Sequence, residues 1–446
     1  MTPDSGDRTA VLLAGLGCGK PAVVARAPGR ANLLGEHTDY NGLPVLPFAI
    51  ERDVLVAGCA ATDGQIAIAS SDARYPPRRY TVAARMAPFR AGDWGNYAKA
   101  PTQALLDAGV TLPPGGLALR VDGTIPVAAG VSSSSALVVA LALAQLALAG
   151  VSLDQLALAE LLARGERYVG VLSGGMDQAA ILLGRAGHVL RLDFFPLRCR
   201  PVAVPGDAAF VVAHSLDDAA KSGRARGLYN QRVVECRLAC AVLAARLRRP
   251  LEHLGQLPSS DVLDLLPDVR SRVEVMQDAR LTDAEFARLV PATVTLADPD
   301  RFVLRRRVRH VLGEAARVAD AERALAAGDL SALGRLLDAS HASGATDYES
   351  STPAADALVG VAREGGALGA RLMGAGFGGA VLALVERERT DALLATLDDR
   401  FYRPRGAGPH ARFVAAPSTG ASVARASTDR EACARQSPPG EVREPG

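Results

Sequence analysis

A chain of 446 residues is about three times the length of a single compact domain, so it predicts two domains rather than one small core. Lys and Arg total 50 against 48 Asp and Glu, and the formal charge of +2 supplies no overall field for nucleic acid or an acidic membrane surface. With 49% hydrophobic and 22% charged residues the chain is neither disordered nor fibrous, and only Lys20, Lys99 and Lys221 among its basic residues are lysines.

The amino terminus carries Asp4, Asp7 and Arg8 before a short apolar run broken by glycines, without the basic start or cleavage pattern of a signal peptide. Six cysteines (Cys18, Cys59, Cys199, Cys236, Cys240, Cys433) form no CxxC pair and predict reduced thiols in a cytoplasmic protein. Cys236 and Cys240 share a helical face and read as core thiols. Gly15-Leu16-Gly17-Cys18-Gly19-Lys20 has the glycine density of a nucleotide loop, but Lys20 is followed by Pro21 where a P-loop needs Ser or Thr. Lys99 and Lys221 lack the glycine spacing as well. A P-loop is therefore excluded, and residues 15–20 read as a loop between two elements.

From Ala22 to Asp72, short β-branched runs separated by Gly, Asn and Pro predict strands with tight turns, and Leu117 to Val121 alternates in the same way. Within this region Gly35 to Gly42 presents Glu36, His37, Thr38, Asp39 and Asn41. That donor and acceptor density suits a polyhydroxylated ligand, although a surface turn has a similar composition. Gly130-Val131-Ser132-Ser133-Ser134-Ser135-Ala136 then opens an apolar helix, Ser134 to Gly150, and Ser152-Leu153-Asp154-Gln155 caps a second, Leu153 to Val169. The most apolar stretch, Ala136 to Ala149, is shorter than the ~18 residues of a membrane span and contains Gln145. A plain cap accounts for one or two of the four serines. The surplus favours an anion site, where backbone N–H groups and the helix dipole hold phosphate without a lysine.

Ser173-Gly174-Gly175-Met176-Asp177-Gln178 puts a carboxylate after glycines at a helix start, as a cap or as a base. Val189 to Phe194 and Ala209 to Ala213 predict a strand pair, followed by an amphipathic helix around Asn230 to Arg248 and a mostly helical, arginine-rich region from 250 to 340. Gly369 to Val385 predicts a glycine-rich turn, with Gly374-Ala375-Gly376-Phe377-Gly378-Gly379, and then a strand over Ala380 to Val385. Residues 417–446 are rich in Ser, Thr, Arg, Glu and Pro and predict a disordered tail. There is no fixed-period repeat.

Taken in this order, the segments resemble the galactokinase family of the GHMP small-molecule kinases. Gly29-Arg30-Ala31-Asn32-Leu33-Leu34-Gly35-Glu36-His37-Thr38-Asp39-Tyr40-Asn41-Gly42 is similar to the galactokinase signature, and the serine loop and Gly374 to Gly379 are similar to the second and third superfamily motifs. Trp94-Gly95-Asn96-Tyr97, Gly174 to Gln178 and Tyr229 to Arg237 extend the resemblance from about Ala25 to about Pro417. It implies an α+β fold with two domains and the active site between them. Residues 1–206 would be an α/β domain carrying the nucleotide loop, and 207–416 a ferredoxin-like α+β domain.

The resemblance further implies transfer of the γ-phosphoryl of ATP, with Mg2+, to the C1 hydroxyl of D-galactose. Asp177 is then the expected base and Arg30 its partner. Glu36, His37, Thr38, Asp39, Gly174 and Tyr229 are expected on the sugar. Ala128, Ala129, Gly130, Val131, Ser132, Ser133 and Ser134 would wrap the phosphates, with Trp94 beside the adenine and Ser134 and Glu166 near magnesium. The partners implied are a small sugar and ATP, with neither nucleic acid nor membrane.

Ala128 stands where many members carry glycine, and Ala345-Thr346 where they usually carry Arg-Asp. The four serines and the Val-Glu-Cys-Arg helix resemble the N-acetylgalactosamine kinase and plant galactokinase branch, whereas Tyr229 points to unmodified galactose. A kinase for N-acetylgalactosamine or another galactose-like sugar is the alternative. A galactokinase-like sensor without turnover is disfavoured, because such sensors lose residues of the serine loop or the base.

Overall fold

The computed structural model describes residues 5–16, 22–126, 129–170, 172–217, 223–257, 260–408 and 411–426. The first half runs α1 (Ser5–Ala14), β1 (Ala22–Asn32), β2 (Pro47–Ala60), β3 (Gln65–Ser70), β4 (Arg78–Thr81), α2 (Gly95–Asp107), β5 (Gly116–Gly123), α3 (Ser133–Ala149), α4 (Gln155–Gly165), α5 (Met176–Leu183), β6 (His188–Asp193) and β7 (Arg198–Ala203). The second runs β8 (Ala208–His214), α6 (Gly223–Leu247), β9 (Val269–Ser271), α7 (Arg272–Ala279), α8 (Asp283–Leu289), β10 (Arg301–Val303), α9 (Arg305–Ala327), α10 (Leu330–Thr346) and α11 (Pro353–Glu364). It closes with β11 (Gly369–Leu372), β12 (Ala380–Glu386), α12 (Thr390–Leu397), β13 (Arg412–Ala415) and β14 (Ser422–Arg425).

The larger sheet has the order β14-β1-β2-β5-β3-β4, antiparallel except where β3 meets β5. Helix α3 packs across β1 and β2. Its Leu-Val-Val-Ala-Leu-Ala-Leu-Ala run is apolar on every side, the composition of a helix meant for complete burial. Gln145, the polar residue that interrupts the apolar part of the helix, accepts a hydrogen bond from Thr102 at 2.8 Å. Gly150, at φ 69°, closes the helix in the left-handed conformation.

The second sheet, β11-β12-β8-β13, is antiparallel and has the 4-1-3-2 order of a ferredoxin-like unit. The chain is α+β, and its two halves share one core: the Phe48 ring of β2 lies 4.9 Å from Phe210 of β8. A second apolar cluster sits between α6, α7 and α9, and a third lies between the small sheet and α11 and α12. Arg307 of α9 is only 1% exposed. It donates to Glu235 of α6 at 2.7 Å, and to the Asp347 carbonyl and the Glu349 carboxylate at 2.6 Å each, tying two helices to the segment after α10.

Several expectations need correction. Residues 417–426 of the expected tail are ordered: Ser418 N–H donates to the Ala49 carbonyl and Ala421 N–H to that of Ile181, and β14 pairs along β1. Composition missed this because the strand gains its stability from backbone bonds to a preformed edge, not from its own apolar residues. Residues 427–446 lie outside the described residues. The strands at 189–194 and 209–213 do not pair with each other; β6 pairs with β7, while β8 sits between β12 and β13. Gly369–Leu372 is itself a strand rather than part of the turn.

Cys59 is disulfide-bonded, against the expectation of six reduced thiols, whereas Cys199, Cys236 and Cys240 are free and the last two are buried. Gly17, Cys18, Gly19, Lys20, Ala128 and Lys221 fall outside the described residues, so the loop reading of 15–20 and the phosphate role of Ala128 do too. Among the described residues, no helix is long and apolar enough to cross a membrane.

Candidate active site

The serine loop turns sharply into α3. Gly130 (φ 74°) and Ser132 (φ 59°) are both left-handed, and the helix begins at Ser133. The Ser132 hydroxyl does not cap the helix; it hydrogen-bonds to Asp177. The first intrahelical bond runs from Ala136 N–H to the Ser132 carbonyl, so the N–H groups of Ser133, Ser134 and Ser135 have no partner within the helix. Donors of this kind at the positive end of a helix dipole are able to receive an anion.

Arg30 lies on β1 just past an irregularity in its pairing with β2. Gly29 makes this possible: a Cβ there would come within 2.8 Å of the Val131 carbonyl, the same carbonyl that accepts the Arg30 N–H at 3.2 Å. The Arg30 guanidinium forks onto Asp177, Nε to Oδ1 at 2.7 Å and Nη2 to Oδ2 at 3.1 Å, while Nη1 donates to the Gly130 carbonyl at 2.7 Å. Asp177 is the second residue of α5 and follows Gly175 at φ 109°. Glu166 accepts from the Ser135 hydroxyl at 2.8 Å, and burial together with the nearby Asp177 carboxylate pushes its pKa up to about 7. The hydroxyl that reaches Glu166 is that of Ser135.

The 35–42 loop folds back on itself and is almost entirely buried. Gly35 (φ 92°) and His37 (φ 63°) flank Glu36 in the left-handed region, a conformation that strains a histidine. Thr38 donates its hydroxyl to the carbonyls of Gly35 and Pro44, both at 2.8 Å, so it shapes the loop from within. His37 Nδ1 bonds the Tyr40 hydroxyl at 2.9 Å, and its ring lies 4.5 Å from Tyr348 and 5.7 Å from Tyr229. His37 Nε2 is buried with no hydrogen-bond partner among the described residues, and burial holds its pKa well below the usual histidine value. Gly174 must be glycine, because a Cβ would meet Tyr40 N at 2.4 Å and Asp39 Cγ at 2.5 Å.

Met176 N–H donates to Asp39 Oδ2 at 3.3 Å, which joins this loop to the start of α5. Burial, with Asp177 and Glu36 nearby, raises the Asp39 pKa from 3.8 to about 6. A carboxyl whose pKa is higher in the folded state contributes stability that is full below the unfolded value and lost as pH rises through the folded one. Asp39→Asn is therefore expected to gain stability relative to the parent between pH 3.8 and about 6 and to level off above that. Urea melts of both proteins across this range check the sign.

The third glycine motif closes the site from the other half of the chain. Gly374 N–H donates to Glu36 Oε1 at 2.8 Å, Arg371 pairs with the same oxygen at 3.1 Å, and a Cβ on Gly374 would stand 3.0 Å from the Gly130 carbonyl. The Arg30–Asp177 pair, the serine loop, the 35–42 loop and the Gly374 turn thus converge on one place. Trp94, half-buried at the start of α2, donates to the Pro76 carbonyl at 2.9 Å and packs on Tyr75; among the described residues it bonds to none of these groups. Glu314, His310, Arg371 and Tyr348 also shape the site. They lie about 300 residues from the loop they contact, beyond the reach of any local pattern. Ser135, inside the serine run, was the one member that the sequence displayed.

Three family profiles match: the galactokinase galactose-binding signature over residues 17–60, the GHMP kinase N-terminal domain over 96–185 and the GHMP kinase C-terminal domain over 321–403. A galactokinase of Dictyostelium discoideum is 33% identical over 428 residues, covering 86% of this chain and 85% of its own. One from Streptomyces coelicolor is 35% identical over 403 residues, covering 90% and 94%. Among solved structures, Lactococcus lactis galactokinase complexed with galactose superposes with a TM-score of 0.76 at 27% identity, over 93% of this chain and 99% of that one. Methanococcus jannaschii mevalonate kinase shares the fold, with a TM-score of 0.57 at 17% identity. Since the signature covers the loop gripped by Gly374 and Arg371, and the relatives match along most of their length, the chain belongs to the galactokinase family of the GHMP kinases.

Proposed function

We propose that the protein is an ATP-dependent galactokinase that transfers the γ-phosphoryl of ATP to the C1 hydroxyl of D-galactose. The observation that carries this reading is the Arg30–Asp177 fork, set between the open N-terminus of α3 and the buried polar 35–42 loop. The curated relatives with the galactokinase name support the same activity.

Phosphoryl transfer asks the protein mainly for positioning and charge neutralisation, because the transition state is loose. In this reading the N–H groups of Ser133 to Ser135 receive phosphate oxygens, and Arg30 offsets the charge that builds on the moving group. Asp177 accepts the proton of the sugar hydroxyl, or orients that hydroxyl as it attacks. Asp39, Tyr229 and the unpartnered His37 Nε2 offer hydrogen bonds to the remaining hydroxyls, with His37 neutral. Glu36 stands behind them, occupied by Gly374 and Arg371.

Among the described residues no cluster of three or more metal-ligating side chains occurs. Magnesium needs fewer, because it keeps waters and takes oxygens from substrate phosphates with one or two carboxylates. The donors on hand fit that chemistry: Glu166 has its pKa raised by burial and by a neighbouring carboxylate, so a nearby cation would ease its ionisation, and serine hydroxyls lie beside it. Glu166 with Ser134 or Ser135 would hold the ion, which when bound supplies charge neutralisation for the phosphates. The reading also includes a cytoplasmic location, where sugar and nucleotide are both available.

The test is a sugar panel with purified protein and MgATP, following ADP release and identifying the product by NMR. The expected result is a sugar 1-phosphate from D-galactose with kcat/KM exceeding that for N-acetylgalactosamine by at least about a hundredfold, since a pocket fitted to a hydroxyl rejects added bulk. Absence of galactose turnover, or preference for the acetamido sugar, overturns it. Binding of both ligands without product would instead mark a sensor.

A further inference from the structure

Helix α9 carries two buried polar side chains one turn apart, His310 and Glu314, and both grip the same residue of the 35–42 loop. Glu314 Oε2 accepts the N–H of Gly35 at 3.0 Å and the N–H of Glu36 at 3.1 Å. His310 Nε2 donates to the Glu36 carbonyl at 3.3 Å, and its Nδ1 is bonded to the Ser343 hydroxyl at 2.9 Å. Because a carbonyl accepts only, the bond to Glu36 requires the proton on Nε2, and Ser343 then donates to Nδ1. Both backbone polar groups of Glu36 are thereby satisfied from a helix that lies about 275 residues away.

The arrangement is charged and internally set. Burial opposes a carboxylate at Glu314, but the Arg317 guanidinium, bonded at 2.5 Å, together with that of Arg371, brings its pKa down to about 2. An unpaired buried carboxylate would be costly, and this one is paired and accepts two N–H groups. The residue it holds sits between two left-handed ones: Gly35 adopts that conformation freely, whereas His37, which follows Glu36, pays a steric cost for it. Strain of that kind persists only where the surroundings over-determine the conformation.

We infer that His310 and Glu314 form a clamp that presets the 35–42 loop for the sugar, as positioning residues that act through the backbone of Glu36. The inference rests on the galactokinase reading for its substrate. A clamp of this kind contributes by removing the ordering cost of the loop from sugar binding, so its loss falls on sugar and not on nucleotide.

The experiment compares Glu314→Leu, Glu314→Gln and His310→Phe with the parent. Glu314→Leu removes the oxygen that accepts both N–H groups, and Glu314→Gln keeps one carbonyl oxygen for the loop. His310→Phe keeps a ring for Tyr348, 4.4 Å away, but loses the donor. Glu314→Leu and His310→Phe are each expected to raise KM for galactose at least about tenfold with KM for ATP within about twofold, and Glu314→Gln to recover part of the loss. Hydrogen exchange at the Gly35 and Glu36 amides should quicken selectively in both Glu314 variants. Melting temperatures that fall with galactose KM unchanged, or KM for ATP rising in parallel, would overturn the clamp. If Glu314→Leu does not fold, His310→Phe decides by the same kinetic readout. Should the parent itself fail to turn over galactose, the proposed function falls, while amide exchange in Glu314→Gln still decides whether the clamp exists.

Discussion

Replacing Asp177 by Asn is expected to lower kcat for galactose phosphorylation by about 10³-fold, the middle of the range for loss of a general base, with both KM values changed only a few-fold. The reason lies in what its two oxygens do. Oδ1 and Oδ2 accept the Arg30 fork, and Oδ2 also accepts from Ser132 and lies 3.5 Å from the Ser135 hydroxyl. Arg30 can only donate and faces both oxygens, so an amide must turn its NH2 toward a guanidinium N–H whichever way it is flipped. It also removes the negative charge that meets Arg30. The scaffold should survive, because Arg30 keeps its bond to the Gly130 carbonyl at 2.7 Å. Steady-state kinetics beside a thermal melt separate lost chemistry from lost folding. A folded variant that keeps more than about a tenth of the parent kcat removes Asp177 from the role of base.

The second large effect concerns stability. Arg307→Leu is expected to cost about 3–5 kcal/mol, the penalty for breaking a buried ion pair by removing one partner. Glu235, whose side chain is 2% exposed, would keep its bond from Val303 N–H at 3.0 Å and a longer contact with Arg232 at 3.3 Å, but would lose its closest cation. Replacing both members, Arg307→Leu with Glu235→Leu, should recover much of the loss, because the buried carboxylate goes with its cation and Arg232 keeps the Glu349 carboxylate at 3.7 Å. Chemical denaturation of the single and double variants reads both numbers. A single-variant cost under about 1 kcal/mol, or a double variant less stable than the single, would show that the pair is not what holds α6, α9 and the 347–349 segment together.

Local chemistry was legible wherever it was written in adjacent residues. The serine run opens an apolar helix at Ser133, one residue from the expected start; the cap expected within Ser152–Gln155 is Asp154, which accepts from the N–H groups of Leu156 and Ala157, so the helix runs Gln155–Gly165 rather than Leu153 to Val169. The glycine-flanked Asp177 and the arginine of the first motif lie together at 2.7 Å. Long-range placement left no such trace. Ser132 is a helix-capping type in a capping position, yet its hydroxyl goes to Asp177 because the left-handed backbone turns it away from the helix. Glu314 and His310 sit four residues apart on an arginine-rich helix, a spacing that also fits an ordinary solvated face. Only their burial against the 35–42 loop distinguishes them. The β14 strand was missed for the opposite reason: its composition is that of a loop, and its partner is at the far end of the chain.

That distance has a consequence for how the protein is made. β1 leaves the ribosome about 390 residues before the strand that covers its outer edge. At 5–20 residues per second, the edge stays uncovered for about 20 to 80 s. Unpaired strand edges are templates for association with other chains, so the nascent amino-terminal sheet is most exposed to misassembly during elongation, before the last segment arrives to seal it.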